Sequence, residues 1–356
     1  RFLVELYTKG NATSKNVQHT VESVDALITT TISQVDTLLA RFVGTLPDAV
    51  IKDNHALKAL TTHLRHAHGS FVDLSTEYQR MKYFSSKGMV LPESYKIGER
   101  HDVRSDGSNI KVNVEAQYVP LIPMLSKYYD YYSKLHTTQR TDGILASYFD
   151  ASKFKTSAFH SENPSALRLI LYHDDIEVAN PLGSRAGVHK LTMFYYTVHG
   201  QSDSKLQSIH LAIVCHASDV KEYGYASILK PFIRDLKALY CGVEIQMANT
   251  SVPGPTMMAT LEHVVGDNLA ANAILGMNQS FSGGHFCRFC YISGDEVHAS
   301  THCRNQRRRS ETSHRLDVDR VLNKPELSST CGVKQPCALD EIEYFSGIKA
   351  TVPDVM

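Results

Sequence analysis

Leu167-Arg-Leu-Ile-Leu-Tyr-His-Asp-Asp175 is an apolar run that ends on two carboxylates, and Val264-Val-Gly-Asp267 repeats the pattern further along the chain. Runs of this length rich in branched and aromatic residues predict strands. Between them, Leu191-Thr-Met-Phe-Tyr-Tyr-Thr-Val198 and Ile209-His-Leu-Ala-Ile-Val-Cys215 predict two more. Asn180-Pro-Leu-Gly183 and Gly200-Gln-Ser-Asp-Ser204 are turn-like, so three closely spaced strands are expected to form an antiparallel meander.

A helix is predicted from Tyr225 to Tyr240, with Ile228, Leu229, Phe232, Ile233, Leu236 and Leu239 on one broad face and Gly242 as its stop. Thr256 to Val265 reads as a fourth strand delivering Asp267, and Leu269 to about Phe281 as a further helix. Three strands, helix, strand, helix is the order of an RNase H-like core. The expected class is therefore α/β (α+β).

Carboxylates at neighbouring strand ends are what a two-metal phosphodiester chemistry requires, because a rigid sheet fixes their spacing. Mg²⁺ takes oxygen ligands and keeps several waters, so two or three acids from different elements suffice. Side chains alternate along a strand, so only one of the adjacent pair can enter the site. Asp174 is favoured, with Asp175 as the fallback, together with Asp267. The competing view is that acids mark strand ends because loops are wet. Glu341 and Glu343 are the only later acids considered for a third ligand, and neither fits convincingly.

Five of the seven cysteines lie beyond residue 286. Cys287-Arg-Phe-Cys290 has zinc-knuckle spacing after Gly283-Gly284, and structural Zn²⁺ is expected there. His298, His302, Cys303, His314, Cys331 and Cys337 are available to complete the tetrahedron, with His302 and Cys303 taken as the partners. Free thiols in a polar loop are the alternative. Arg307, Arg308 and Arg309 could grip phosphates or form a nuclear-import patch, and a solvated basic loop is equally compatible with them.

Upstream, residues 14 to 45 and about 53 to 84 read as helices; the second carries His55, His63, His66 and His68, which fit a polar helix face better than a zinc site. Ser105-Asp-Gly-Ser-Asn109 signals a hairpin, Val112 to Val119 a short strand, and Tyr128, Tyr129, Tyr131 and Tyr132 a tyrosine-rich helix. This divides the chain into a mostly helical region (1–155), the core (156–285) and a Cys/His- and Arg-rich insertion (286–356) leading toward a final helix.

With 37 basic and 37 acidic residues in 356, no global charge draws the chain to nucleic acid, so DNA contact must come from local patches. No apolar run approaches the roughly 20 residues that span a bilayer, and no membrane partner is expected. The odd cysteine count predicts a reducing compartment, with Cys215 and Cys241 as inert core thiols. The chain begins at Arg1 and stops at Met356, so it is expected to be part of a longer product.

Asp174-Asp-Ile-Glu-Val-Ala-Asn180-Pro-Leu-Gly183, Ile228-Leu-Lys-Pro231 through Gly242-Val243, Gly266-Asp267-Asn-Leu-Ala270 and Cys287-Arg-Phe-Cys290, in that order, resemble the DDE transposases of the CACTA (En/Spm) type and the animal proteins derived from them. The likeness covers about residues 90 to 356. It implies an RNase H-like fold, Mg²⁺- or Mn²⁺-dependent cleavage and joining of DNA at transposon ends, and action in the nucleus. Homo-oligomers are compatible with it. Val352-Pro-Asp354-Val-Met356 resembles the start of the family's Asp-x-Met-His block, which places the third acid beyond Met356. The same likeness is compatible with a decayed or host-recruited derivative that binds DNA or protein without cutting.

Overall fold

The computed structural model describes residues 13–46, 55–68, 71, 74–135, 143–145, 148–177, 190–200, 208–245, 254–281, 284–299 and 306–353. The expected turn at 180–183, His302, Cys303 and Asp354 lie outside them. The chain forms two compact units, Arg1–Leu91 and Pro92–Met356, dividing well ahead of the boundary expected near residue 155.

The first unit is helical: α1 (Ser14–Val43), α2 (His55–His68) and α3 (Glu77–Ser86). Thr13 caps α1 and a Thr76–Gln79 capping box starts α3, each satisfying backbone donors the first turn leaves open. Val17, Val21 and Phe84 form its small apolar cluster. Arg80 is buried beside them because its guanidinium donates to the Leu74 and Ser75 carbonyls and to Gln18 Oε1.

The second unit is mixed α/β, built on a seven-stranded sheet. Its strands are β1 (Glu93–Val103), β2 (Asn109–Tyr118), β3 (Leu167–Glu177), β4 (Lys190–Val198), β5 (His210–His216), β6 (Ala259–Gly266) and β7 (Thr351–Pro353). They lie in the order β1-β2-β5-β4-β3-β6-β7. The β3–β4 and β4–β5 pairs are antiparallel, whereas β6 runs parallel to β3 and β7 parallel to β6. The meander expected from the sequence is present. The β1–β2 hairpin, placed by the sequence reading in the helical N-terminal region, instead extends this sheet by pairing with β5 at Gln117 and Tyr118.

Helix α4 (Leu121–Lys127) follows β2, and α5 (Ala158–Glu162) precedes β3. Between β5 and β6 runs α6 (Ala217–Cys241), broken at Gly224, where φ is 76°. Its Ile228, Leu229, Phe232, Ile233, Leu236 and Leu239 are all buried in the main core with Leu169, Leu171, Phe194 and Ile213 of the sheet. Each such side chain is worth about 1.5–3 kcal/mol relative to exposure. Asp235 is buried on the same helix because Tyr118 Oη donates to it at 2.7 Å and Arg234 Nη2 at 2.9 Å. Tyr118 Oη in turn accepts from the Leu121 N–H, so one network ties β2, α4 and α6.

After β6 comes α7 (Asn268–Ile274), then a segment carrying α8 (Gly294–Ala299) and α9 (Glu311–Asn323), and finally α10 (Gly347–Ala350) leading into β7. The insertion therefore interrupts the sheet between its sixth and seventh strands. Among the described residues, no helix is long and apolar enough to cross a membrane.

Candidate active site

Strands β3 and β6 are parallel neighbours, so their C-terminal ends emerge on the same edge of the sheet. There Asp174, Asp175 and Asp267 border one cleft of about 610 Å³, with Lys190, Thr192, Lys221, Tyr225, Lys334 and Gln335 among its other lining residues.

The alternation of β3 decides between the two adjacent acids. Leu167, Leu169, Leu171 and His173 are buried, and Asp175 follows them on the same face. Its carboxylate accepts from Thr192 Oγ1 at 2.5 Å and pairs with Lys190 Nζ at 3.0 Å. Asp174 shares the other face with Tyr172, whose hydroxyl lies 3.4 Å from its Oδ2, while its Oδ1 accepts from the Asp175 N–H. Asp175 thus extends the buried row of β3, while Asp174, on the strand's other face, also borders the cleft.

Asp267 has a structural task as well. Its side chain caps α7, Oδ1 accepting from the Ala270 N–H at 2.6 Å. The turn into this helix is tight: a Cβ at Gly266 would lie 3.3 Å from the His173 carbonyl oxygen.

His173 forms the floor between the acids. Its ring packs against Phe194 at 4.8 Å and edge-on to Tyr225 at 5.2 Å. Burial pushes it down to about 4, outweighing the opposing pull of Asp175, Asp174 and Asp267. At neutral pH it is uncharged, so the acids keep their negative potential.

Neither Glu341 nor Glu343 borders the cleft; Glu341 pairs with Lys237 at 3.0 Å. Among the described residues, no group of three His, Cys, Asp or Glu stands close enough to hold a metal ion. The donor set at the cleft is two carboxylates from separate strand ends, which suits a hard ion that retains water. Lys190 at present neutralises one of them.

The thiol pair lies in the insertion. Cys290 is buried and bridges Arg308 by its backbone, and the Phe289 N–H lies 3.4 Å from Cys287 Sγ. Cys331 and Cys337 belong to apolar clusters instead. Arg307 and Arg308 are exposed, as a phosphate-gripping role needs.

Arg309 is not available for that role. Its side chain is 0% exposed, Nη1 paired with Asp317 at 3.3 Å and the guanidinium 4.2 Å from the Tyr291 ring. Its Nε and Nη2 donate to the Cys287 and Cys331 carbonyls, so it crosslinks the insertion from within. The sequence places it in a surface patch with Arg307 and Arg308; the partners that bury it lie eight to 22 residues away.

Lys190, Thr192, Lys221, Tyr225 and Lys334 were missed by sequence reasoning. Thr192 pairs with Asp175 across the β3–β4 register and so was within reach once the meander was drawn. Lys334 carried no such signal.

No protein-family model matches this chain, and no curated protein shows significant similarity to it.

Proposed function

We propose that the second unit is an RNase H-like nucleic-acid-processing core of the DDE transposase type, which cleaves and joins DNA phosphodiesters with Mg²⁺ or Mn²⁺ held by Asp175 and Asp267. The observation that carries this is that both carboxylates, at the C-terminal ends of neighbouring parallel strands, line a single cleft. The sheet supports it: from β5 to β7 the spatial order is third, second, first, fourth, fifth, and only the second of these strands runs antiparallel to its neighbours. The helix α6 between the third and fourth strands belongs to the same pattern.

A divalent ion bound there would supply Lewis-acid activation of a phosphate oxygen and of the attacking hydroxyl. The chain's own residues do the rest. Asp175 is oriented by Thr192, Asp267 is fixed by its capping bond, and neutral His173 seals the floor without cancelling their charge. Zn²⁺ on Cys287 and Cys290, with His302 and Cys303 as partners, would hold the insertion's knuckle. DNA is the proposed partner and the nucleus the proposed site of action.

The test is nicking of supercoiled plasmid in Mg²⁺ and in Mn²⁺. Asp267→Asn is the informative variant, because an amide oxygen still caps α7 whereas alanine would not. Loss of nicking with retained folding is expected; undiminished nicking by the Asn variant would sink the assignment. A second reading, a chain that binds DNA without cutting it, is favoured by the Lys190–Asp175 ion pair, which occupies the very carboxylate a metal needs. Metal-independent DNA binding without nicking would establish it.

A further inference from the structure

We infer that Lys221 and Lys334 are phosphate-binding residues that hold a nucleic-acid strand across the cleft, one on each wall, and that the insertion is therefore a wall of the substrate site. This rests on the proposed function.

The cleft is lined by three carboxylates, Asp174, Asp175 and Asp267, and by three lysines, Lys190, Lys221 and Lys334. Lys190 is spent on Asp175. The other two are exposed and have no ion-pair partner among the described residues. They come from separate parts of the chain: Lys221 from α6 just before its break at Gly224, Lys334 from the insertion. Two unpaired cations flanking an acidic centre suit a polyanion whose phosphates lie on either side of the one being attacked. The acids alone would repel it.

The backbone at Lys334 is fixed, so its side chain leaves from a set point on the cleft wall. Its N–H donates to the Gly276 carbonyl at 2.7 Å, and the Gln335 N–H shares that acceptor at 3.2 Å. Gly276 has φ 67°, and a Cβ there would fall 2.2 Å from the Gln335 carbonyl oxygen, so the loop seats directly on glycine. Ala338 N–H donates to the Ile274 carbonyl, fixing the loop's far side to α7. The insertion is thus pinned to the helix that Asp267 caps. The cleft, at about 610 Å³, is in the range that encloses a nucleotide-sized ligand rather than a lone ion.

The experiment measures binding of the full chain to a fluorescent DNA duplex of arbitrary sequence, in EDTA, over a range of salt. Each phosphate contact contributes about 0.9 to the slope of log affinity against log salt. Lys221→Gln with Lys334→Gln should lower that slope by about 1.8, and weaken binding on the order of tenfold to a hundredfold at 0.1 M salt. Lys334→Arg should keep the slope, as should Lys230→Gln, an exposed lysine of α6 outside the cleft. An unchanged slope in the double glutamine variant overturns this inference; if Asp267→Asn still abolishes nicking, the proposed function survives alone. Absence of salt-dependent binding by the unsubstituted chain overturns both.

Discussion

Asp267 caps a helix with one oxygen and is proposed to hold a metal with the other, so substitutions there separate two effects. Asp267→Ala should lower stability by about 0.5–2 kcal/mol through the lost cap, while Asp267→Asn should leave the melting temperature nearly unchanged; calorimetric scans of both variants check this. Lys190 competes for Asp175, so Lys190→Ala should tighten Mn²⁺ binding, measured by titration calorimetry; weaker binding would mean that the lysine assists the metal. Two thiols give a third check. Burial pushes Cys215 and Cys337 each up to about 12, and both should resist alkylation at pH 8 until the chain unfolds, whereas exposed Cys241 should react first. The sequence predicted inertness for Cys215 and Cys241 alike; the structure buries the former and exposes the latter at the end of α6.

Among elements, the apolar strands and the long helix were legible, and their phase was not. Leu167 to Tyr172 is apolar at nearly every position, so no alternation marks which face meets α6. Arg168, the one polar residue of that run, is itself buried, lying over the rings of Phe149 and Phe154. That is why Asp174 and Asp175 could not be separated by pattern. The non-helical backbone of Gly224 divides α6, and the long part that follows begins at Tyr225, as the apolar spacing predicts. The hairpin β1–β2 was visible in Ser105-Asp-Gly-Ser-Asn109, but its docking onto β5 depends on long-range contacts such as Tyr118 with Asp235 and Tyr95 Oη with the Ile228 carbonyl. Tyr118→Phe would leave buried Asp235 short of a donor and should cost about 1–3 kcal/mol by denaturant unfolding.

At the scale of the molecule, the sheet's far end is assembled by segments that sequence order separates. The insertion that carries α8 and α9 lies between β6 and β7, yet the loop at Lys334 that follows α9 lines the cleft of the core. Charge at the whole-chain level was silent on this, because equal numbers of acids and bases hide the concentration of both at one sheet edge. The fold also fixes a pH response. His173 and His314 are each pushed down to about 4, mainly by burial, so the unfolded chain binds protons that the folded chain refuses. Stability should be fully present above about pH 6.5, the ordinary histidine value, and fall as pH drops from there toward 4. Thermal melting across that window checks the sign, and His314→Gln should flatten the slope.

The most direct measurement is a calorimetric Mn²⁺ titration of the chain beside its Asp174→Asn, Asp175→Asn and Asp267→Asn variants. Binding that survives Asp174→Asn but is lost in Asp175→Asn and in Asp267→Asn is the predicted result. Binding that depends on Asp174 and ignores Asp175, or no binding by any folded form, would contradict a metal centre built on the buried-face acid of β3 and the cap of α7.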